Sequence, residues 1–303
     1  NAEGDIEIPK SIKHENEDYV IDKILGPDSD SNTYNKIKSV TFPEDSQVTI
    51  IEKYAFARFT NLKKITIPSN VTKICVHAFY HCDGLEVVEF QNNSKLQIIE
   101  NYSFGYIKIQ KVTIPSHVKR IEQEAFDSCY NLEIVEFQEN SELEYLGKYA
   151  FYRAKLKRIK IPAHVKQFGG YVFYECKNFE SIEFSENSEL EYIGEYDFNT
   201  TKIKKIIIPP HVKRIGNRAF SECTYLENVE FSDKSELEYI GDYAFYSTKI
   251  QKILIPSSIQ VIGNDAFNKC SNLEIVEFSE KSKLECINSC SFQLTGIKKI
   301  QIP

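Results

Sequence analysis

The 303-residue sequence predicts an α/β repeat solenoid of short coils with little or no regular helix. Three observations carry that prediction. The phrases "IPSHVKRIEQEAF" from Ile114, "IPAHVKQFGGYVF" from Ile161 and "IPPHVKRIGNRAF" from Ile208 are near-copies 47 residues apart. Pro68, Pro115, Pro162, Pro209, Pro256 and Pro303 keep the same step. Phenylalanines from Phe56 to Phe292 divide each step into a shorter and a longer coil, about 22 and 25 residues. A fixed period of this size marks stacked units, because one coil cannot bury its apolar face alone and needs neighbours to cover it.

The elements follow in order. Residues 1–36 read as an irregular N-terminal cap: "IEIP" (Ile6–Pro9) is the end of a strand, and the stretch from Lys13 to Lys36 is poor in apolar residues and rich in turn formers. Residues 37–303 then hold about eleven coils. In the pair from Asn131 to Pro162, "LEIVEF" sets Val135 and Phe137 against Ile134 and Glu136, and "LKRIKI" sets Ile159 and Ile161 against Arg158 and Lys160. Alternation with period two means a short strand with one buried face. Proline turns the chain after one strand, and a "QENS", "SENS" or "SDKS" tract after the next. A second apolar pair follows, such as Val118 and Ile121 or Leu143 and Leu146, then a small residue before the phenylalanine. The chain starts at Asn1 without methionine and ends on Pro303, where another coil is expected, so we expect a solenoid truncated at its C-terminus.

Composition excludes several classes. A net charge of −7 gives no basic stripe for nucleic acid. No apolar run approaches the ~18 residues of a membrane span, so no membrane insertion is expected. Cys82, Cys129, Cys176, Cys223 and Cys270 recur every 47 residues in "AFxxC". Members two coils apart are too distant for a disulfide or a shared zinc, so they read as a buried column of thiols acting as small apolar residues. Cys286 and Cys290 stand where earlier coils have tyrosine, and three roles stay open: a pair, reactive thiols or unpaired filler. His117, His164 and His211 read as surface histidines of the proline turn, and His77 and His81 as exposed. With no phosphate loop, glycine-rich dinucleotide turn or nucleophile elbow, we expect no catalytic residue, no metal and no cofactor.

The outward positions of the strands are more informative. One level carries Lys or Arg on every second strand, among them Lys64, Lys111, Lys205 and Lys252. The other carries Glu on the strands between, among them Glu89, Glu136, Glu230 and Glu277. Diagonal Lys–Glu neighbours are within attraction range, and the alternation avoids stacking like charges. Ile207, Leu254 and Ile275 interrupt this pattern. With Asn228 and a rim of Lys205, Lys252, Glu230 and Glu277, they are the candidate partner-binding patch. A second candidate face carries Tyr145, Tyr192 and Tyr239, then Tyr149, Tyr196 and Tyr243, with Arg120 and Arg214 in intervening coils. Tyrosine offers a rigid ring with a polar tip, suited to protein or carbohydrate.

The repeated "L-x-x-V-x-F", "I-x-x-I-x-I-P" and "V-x-x-I-x-x-x-A-F-x-x-C-x-x-L" resemble the BspA-type leucine-rich repeats over residues 37–303. That resemblance implies a leucine-rich-repeat solenoid with a parallel sheet on its concave side. It also implies a cell-surface or extracellular protein with an adhesive role and a protein or matrix partner. An intracellular, cytoplasmic scaffold using the same surface is the alternative.

Overall fold

The computed structural model describes residues 4–15, 17–26 and 36–302. There are two compact units, Asn1–Leu143 and Glu144–Pro303, with no α-helix among the described residues.

The first unit runs β1 (Gly4–Glu7), β2 (Ser11–His14), β3 (Glu17–Val20), β4 (Lys23–Ile24), β5 (Ile37–Thr41), β6 (Ile50–Ile51) and β7 (Lys64–Ile67). It continues through β8 (Lys73–Ile74), β9 (Val87–Phe90), β10 (Ile98–Ile99), β11 (Lys111–Ile114), β12 (Arg120–Ile121) and β13 (Ile134–Phe137). The second unit begins with β14 (Tyr145–Leu146), β15 (Arg158–Ile161), β16 (Gln167–Phe168), β17 (Ser181–Phe184), β18 (Tyr192–Ile193), β19 (Lys205–Ile208) and β20 (Arg214–Ile215). It ends with β21 (Asn228–Phe231), β22 (Tyr239–Ile240), β23 (Lys252–Ile255), β24 (Val261–Ile262), β25 (Ile275–Phe278), β26 (Cys286–Ile287) and β27 (Lys299–Ile300).

From β7 to β26 each coil therefore contributes a four-residue strand and a two-residue strand. The longer strands bury alternate residues, as the period-two pattern requires: Ile65 and Ile67 point inward while Lys64 is exposed. The shorter strands pair parallel and in register, β4-β6-β8-β10-β12 in the first unit and β14-β16-β18-β20-β22-β24-β26 in the second. Part of the predicted cap belongs to this pattern. β1 pairs parallel with β5 and β4 with β6, and between them β2 and β3 form an antiparallel hairpin. Residues 27–35 of that cap and Pro303 lie outside the described residues.

The third side of each coil, around the phenylalanine, is neither strand nor helix. The residues two before and two after each phenylalanine are left-handed: Tyr54 (φ 60°) and Arg58 (φ 63°) flank Phe56, and Arg218 (φ 56°) and Glu222 (φ 59°) flank Phe220. A left-handed residue in every fourth position prevents a helix. The conformation is costly for side chains other than glycine. It persists because it turns three amides toward the next coil: Tyr54, Phe56 and Arg58 donate to the carbonyls of Val76, Ala78 and Tyr80 at 3.3, 2.8 and 2.8 Å. The phenylalanines stack behind this ladder, Phe56–Phe79–Phe104–Phe126 in one unit with centroids 5.1–5.2 Å apart. In the other, Phe151 to Phe292 stack at 5.0–5.9 Å.

The ladder of long strands is interrupted at regular points. β9 closes the sheet β1-β5-β7-β9, and β11 pairs only with β13; likewise β19 pairs with β21 and not with β17. The coil before the β9–β11 seam carries an extra residue. Val87 lies eight residues after Phe79, whereas Lys111 lies seven after Phe104.

Candidate binding surfaces

On the outward strand face of the second unit, register places Ile207 beside Glu230, Leu254 beside Glu277, and Ile275 between Lys252 and Lys299. The diagonal ion pairs form as the alternation of Lys and Glu requires, Lys205–Glu230 at 2.6 Å and Lys252–Glu277 at 2.7 Å. In the first unit, Lys64–Glu89 and Lys111–Glu136 form at 2.8 and 2.7 Å. The hydrogen bond from Lys252 holds the Glu277 carboxyl below its ordinary value. Ile207 is 55% exposed and Leu254 48%, whereas Ile275 is half-buried. The three do not form the contiguous apolar patch expected from the sequence. Glu230 on β21 and Glu277 on β25 alternate with Ile207 and Leu254, so each aliphatic side chain is a separate point framed by charge. Val87 (39%) and Ile134 (46%) are similar exposed points in the first unit.

The tyrosine face is a stacked layer. Tyr145, Tyr192 and Tyr239 stand half-buried on β14, β18 and β22, and the Arg214 guanidinium on β20 lies 4.7 Å from the Tyr239 ring centroid. Arg120, on β12 of the first unit, is ion-paired with Glu122. The other column is longer than the sequence indicated. Tyr149, Tyr171 and Tyr196 stack at 4.6 Å per step, and Arg218 then bridges to Tyr243, 5.7 and 4.4 Å from the two rings. Tyr171 and Arg218 were missed, although both stand two residues before a phenylalanine. Burial pushes the Tyr171 hydroxyl up to about 12. His77 and His81 need correction: neither is an exposed accident, and neither is on a helix. His77 stacks between Tyr54 and Tyr102 with centroids 5.0 Å away on each side, and His81 stacks on Tyr106 at 4.4 Å. Burial lowers the His77 pKa.

The cysteine column is buried and unpaired. Each thiol donates to the carbonyl of the phenylalanine one coil back, as Cys129 to Phe104 (3.1 Å) and Cys223 to Phe198 (2.9 Å). Burial raises these thiols, Cys223 to about 12. Cys75, which the periodicity does not include, is also buried. Cys286 and Cys290 are exposed and free. His117, His164 and His211 are exposed, and each contacts a glutamate 25 residues on: Glu142, Glu189 and Glu236, at 2.8, 3.0 and 3.0 Å. Among the described residues no group of three or more His, Cys, Asp or Glu is placed to hold a metal ion. Among the described residues no helix is long and apolar enough to cross a membrane.

One functional-looking group was not anticipated. Asp197 occupies the position before the phenylalanine that Ala150, Ala219 and Ala244 fill in other coils, and it is fully buried. Its carboxylate accepts from the backbone N–H groups of Val172 and Gly194. Burial pushes it up to about 7 despite those two donors.

A search of curated proteins returns no match. Among solved structures, a leucine-rich repeat protein from Bacteroides ovatus shares 24% identity, covering 96% of this chain and 84% of its own, with a TM-score of 0.68. A leucine rich cell surface protein from Faecalibacterium prausnitzii shares 24%, covering 95% and 87%, with a TM-score of 0.54. The pneumococcal vaccine antigen PcpA shares 18%, covering 93% and 73%, with a TM-score of 0.53. At these identities the likeness is one of fold. The model of the BspA type leucine rich repeat region matches residues 29–107, 97–213 and 191–303, in six copies. With two stacked ladders, a phenylalanine column and that match over most of its length, the chain belongs to the BspA-type leucine-rich-repeat family.

Proposed function

We propose that this protein is a noncatalytic binding protein displayed at a cell surface, recognising a protein or matrix component through the strand face of residues 144–303. The observation that carries the reading is the pair Ile207 and Leu254. They expose aliphatic side chains at positions where other coils carry Thr66 or Lys160. Each is set beside a glutamate that orients a partner without dominating affinity. Burying either side chain fully would contribute ~1.5–3 kcal/mol. Two structural relatives are described as a cell surface protein and a vaccine antigen, which supports display on a cell.

Immobilised matrix proteins such as collagen, laminin and fibronectin are the assay. Replacing Ile207 and Leu254 by serine should weaken binding by roughly tenfold or more, since about 1.4 kcal/mol is a factor of ten. The Thr66→Ser control should bind normally. Normal binding by the double serine variant with loss in a Tyr192/Tyr239 variant would move the site to the tyrosine face. Labelling of the native protein on intact cells with an impermeant reagent tests display; labelling only after permeabilisation would favour the intracellular scaffold.

A further inference from the structure

The seam between β9 and β11 opens a cleft of about 810 Å³ in the first unit, within the range of small-molecule sites, ~300–1,000 Å³. Its chemistry follows from the parity of the strands. In a parallel ladder alternate residues turn their N–H and C=O groups to opposite sides. Ile134 and Gln138 donate to the carbonyls of Gln110 and Ile114, so Gln110, Val112 and Ile114 face β13. Lys111 and Thr113 therefore face β9, as would Pro115, which has no N–H to donate. Val87 and Gln91 donate to β7 and its flank, so Val88 and Phe90 face β11. The last bond across the seam is Lys108 N–H to the Leu85 carbonyl, 2.9 Å; beyond it β9 and β11 are edges of separate sheets. The main-chain groups of Val88, Phe90, Lys111 and Thr113 thus look into the cleft with no sheet partner across it.

The geometry points to this cleft as a site for a short uncharged oligosaccharide. Sugar hydroxyls both donate and accept, and so match a wall presenting N–H and C=O groups together. Three of the four charged side chains on the walls are engaged in pairs: Glu86 with Lys63, Glu89 with Lys64 and Lys111 with Glu136. The amides of Gln110 and Asn131 add further groups that donate and accept, and exposed Val87 supplies apolar surface for the face of a sugar ring. An inserted peptide strand does not fit. It would need β9 and β11 about 9–10 Å apart, twice the strand spacing, whereas Cα atoms of the two strands approach within 8 Å. Lys108 stands on the same wall, which makes an acidic glycan the competitor to be separated. This site lies apart from Ile207 and Leu254 and does not depend on the role proposed for them.

The test titrates the full chain with cellotriose, mannotriose and N-acetylchitotriose, and separately with sialyllactose and a valine-rich hexapeptide. Binding is followed by saturation-transfer NMR and calorimetry. At least one neutral trisaccharide should bind. Thr113→Leu, which copies the residue at Leu254 in the equivalent strand position, should weaken that binding roughly tenfold or more. It should leave the melting temperature unchanged, and Thr66→Leu should bind as the unaltered protein does. Absence of binding by every neutral trisaccharide, binding that survives Thr113→Leu, or binding of sialyllactose or the hexapeptide alone would each overturn the assignment.

Discussion

Asp197 makes one coil answer to pH. In other coils the N–H before the phenylalanine bonds back three residues, as Ala150 to the Gly147 carbonyl at 3.1 Å. In the coil of Gly169 and Gly170, Gly170 adopts φ +91° and the Val172 N–H goes to Asp197 of the next coil instead, at 3.0 Å. Asp197 thus takes up a donor that this turn releases. Being buried, it keeps its proton up to about 7 in the folded chain, against 3.8 when free. Between those values the native state holds a proton that the unfolded state has lost. Stability from this group is therefore full below 3.8, falls as pH rises through about 7, and is flat above it. At about 1.4 kcal/mol per pH unit the whole change is of order 4 kcal/mol. Asp197→Asn removes the titration and keeps one acceptor for Val172, at the cost of an N–H left facing Gly194. Urea unfolding of both proteins from pH 4 to pH 8, monitored by circular dichroism, isolates the effect as a difference of differences. The unaltered protein should lose stability relative to Asp197→Asn as pH rises, and carboxyl NMR should place the midpoint near 7. A pH-independent difference would refute the reasoning, because it would mean that the two N–H donors keep the carboxylate ionised throughout.

Three further outcomes follow from the packing. In a thiol titration of the native protein Cys286 and Cys290 should react and the other six cysteines should not, until unfolding releases all eight; a prompt reaction of Cys129 or Cys176 would contradict the buried column. Phe220→Ala, which removes a ring stacked on Phe198 and Phe245 at 5.0 and 5.2 Å, should cost about 3–5 kcal/mol in denaturant unfolding. Arg218→Asp should lower stability by about 0.5–2 kcal/mol through loss of the guanidinium between Tyr196 and Tyr243, whereas Arg218→Tyr, the residue this column uses elsewhere, should restore thermal stability.

What could be read from the sequence was what depends on spacing alone. Val135 and Ile159 point inward because alternation on a strand has no other outcome, and the Lys205–Glu230 diagonal follows from two columns one strand apart. The cysteine column is of the same kind. What could not be read depends on backbone handedness. Positions two before the phenylalanine hold Tyr54, His77, Glu124, Arg218 and Cys290, all left-handed. No residue preference announces that conformation, because the carbonyls of the neighbouring coil impose it. The stack of Tyr171 and Arg218 was therefore hidden, and His77 was misplaced at the surface. The seam at β9 and β11 lies between these cases. An extra residue after Phe79 and a proline after Ile114 flank it, but spacing alone does not announce it: Ile275 also lies eight residues after Phe267, and β25 still pairs with β27. What distinguishes one seam from another is then the outward side chain, Thr113 at β11 against Ile207 at β19 and Leu254 at β23. In a chain that copies its core so closely, those few outward positions are where one coil differs from the next.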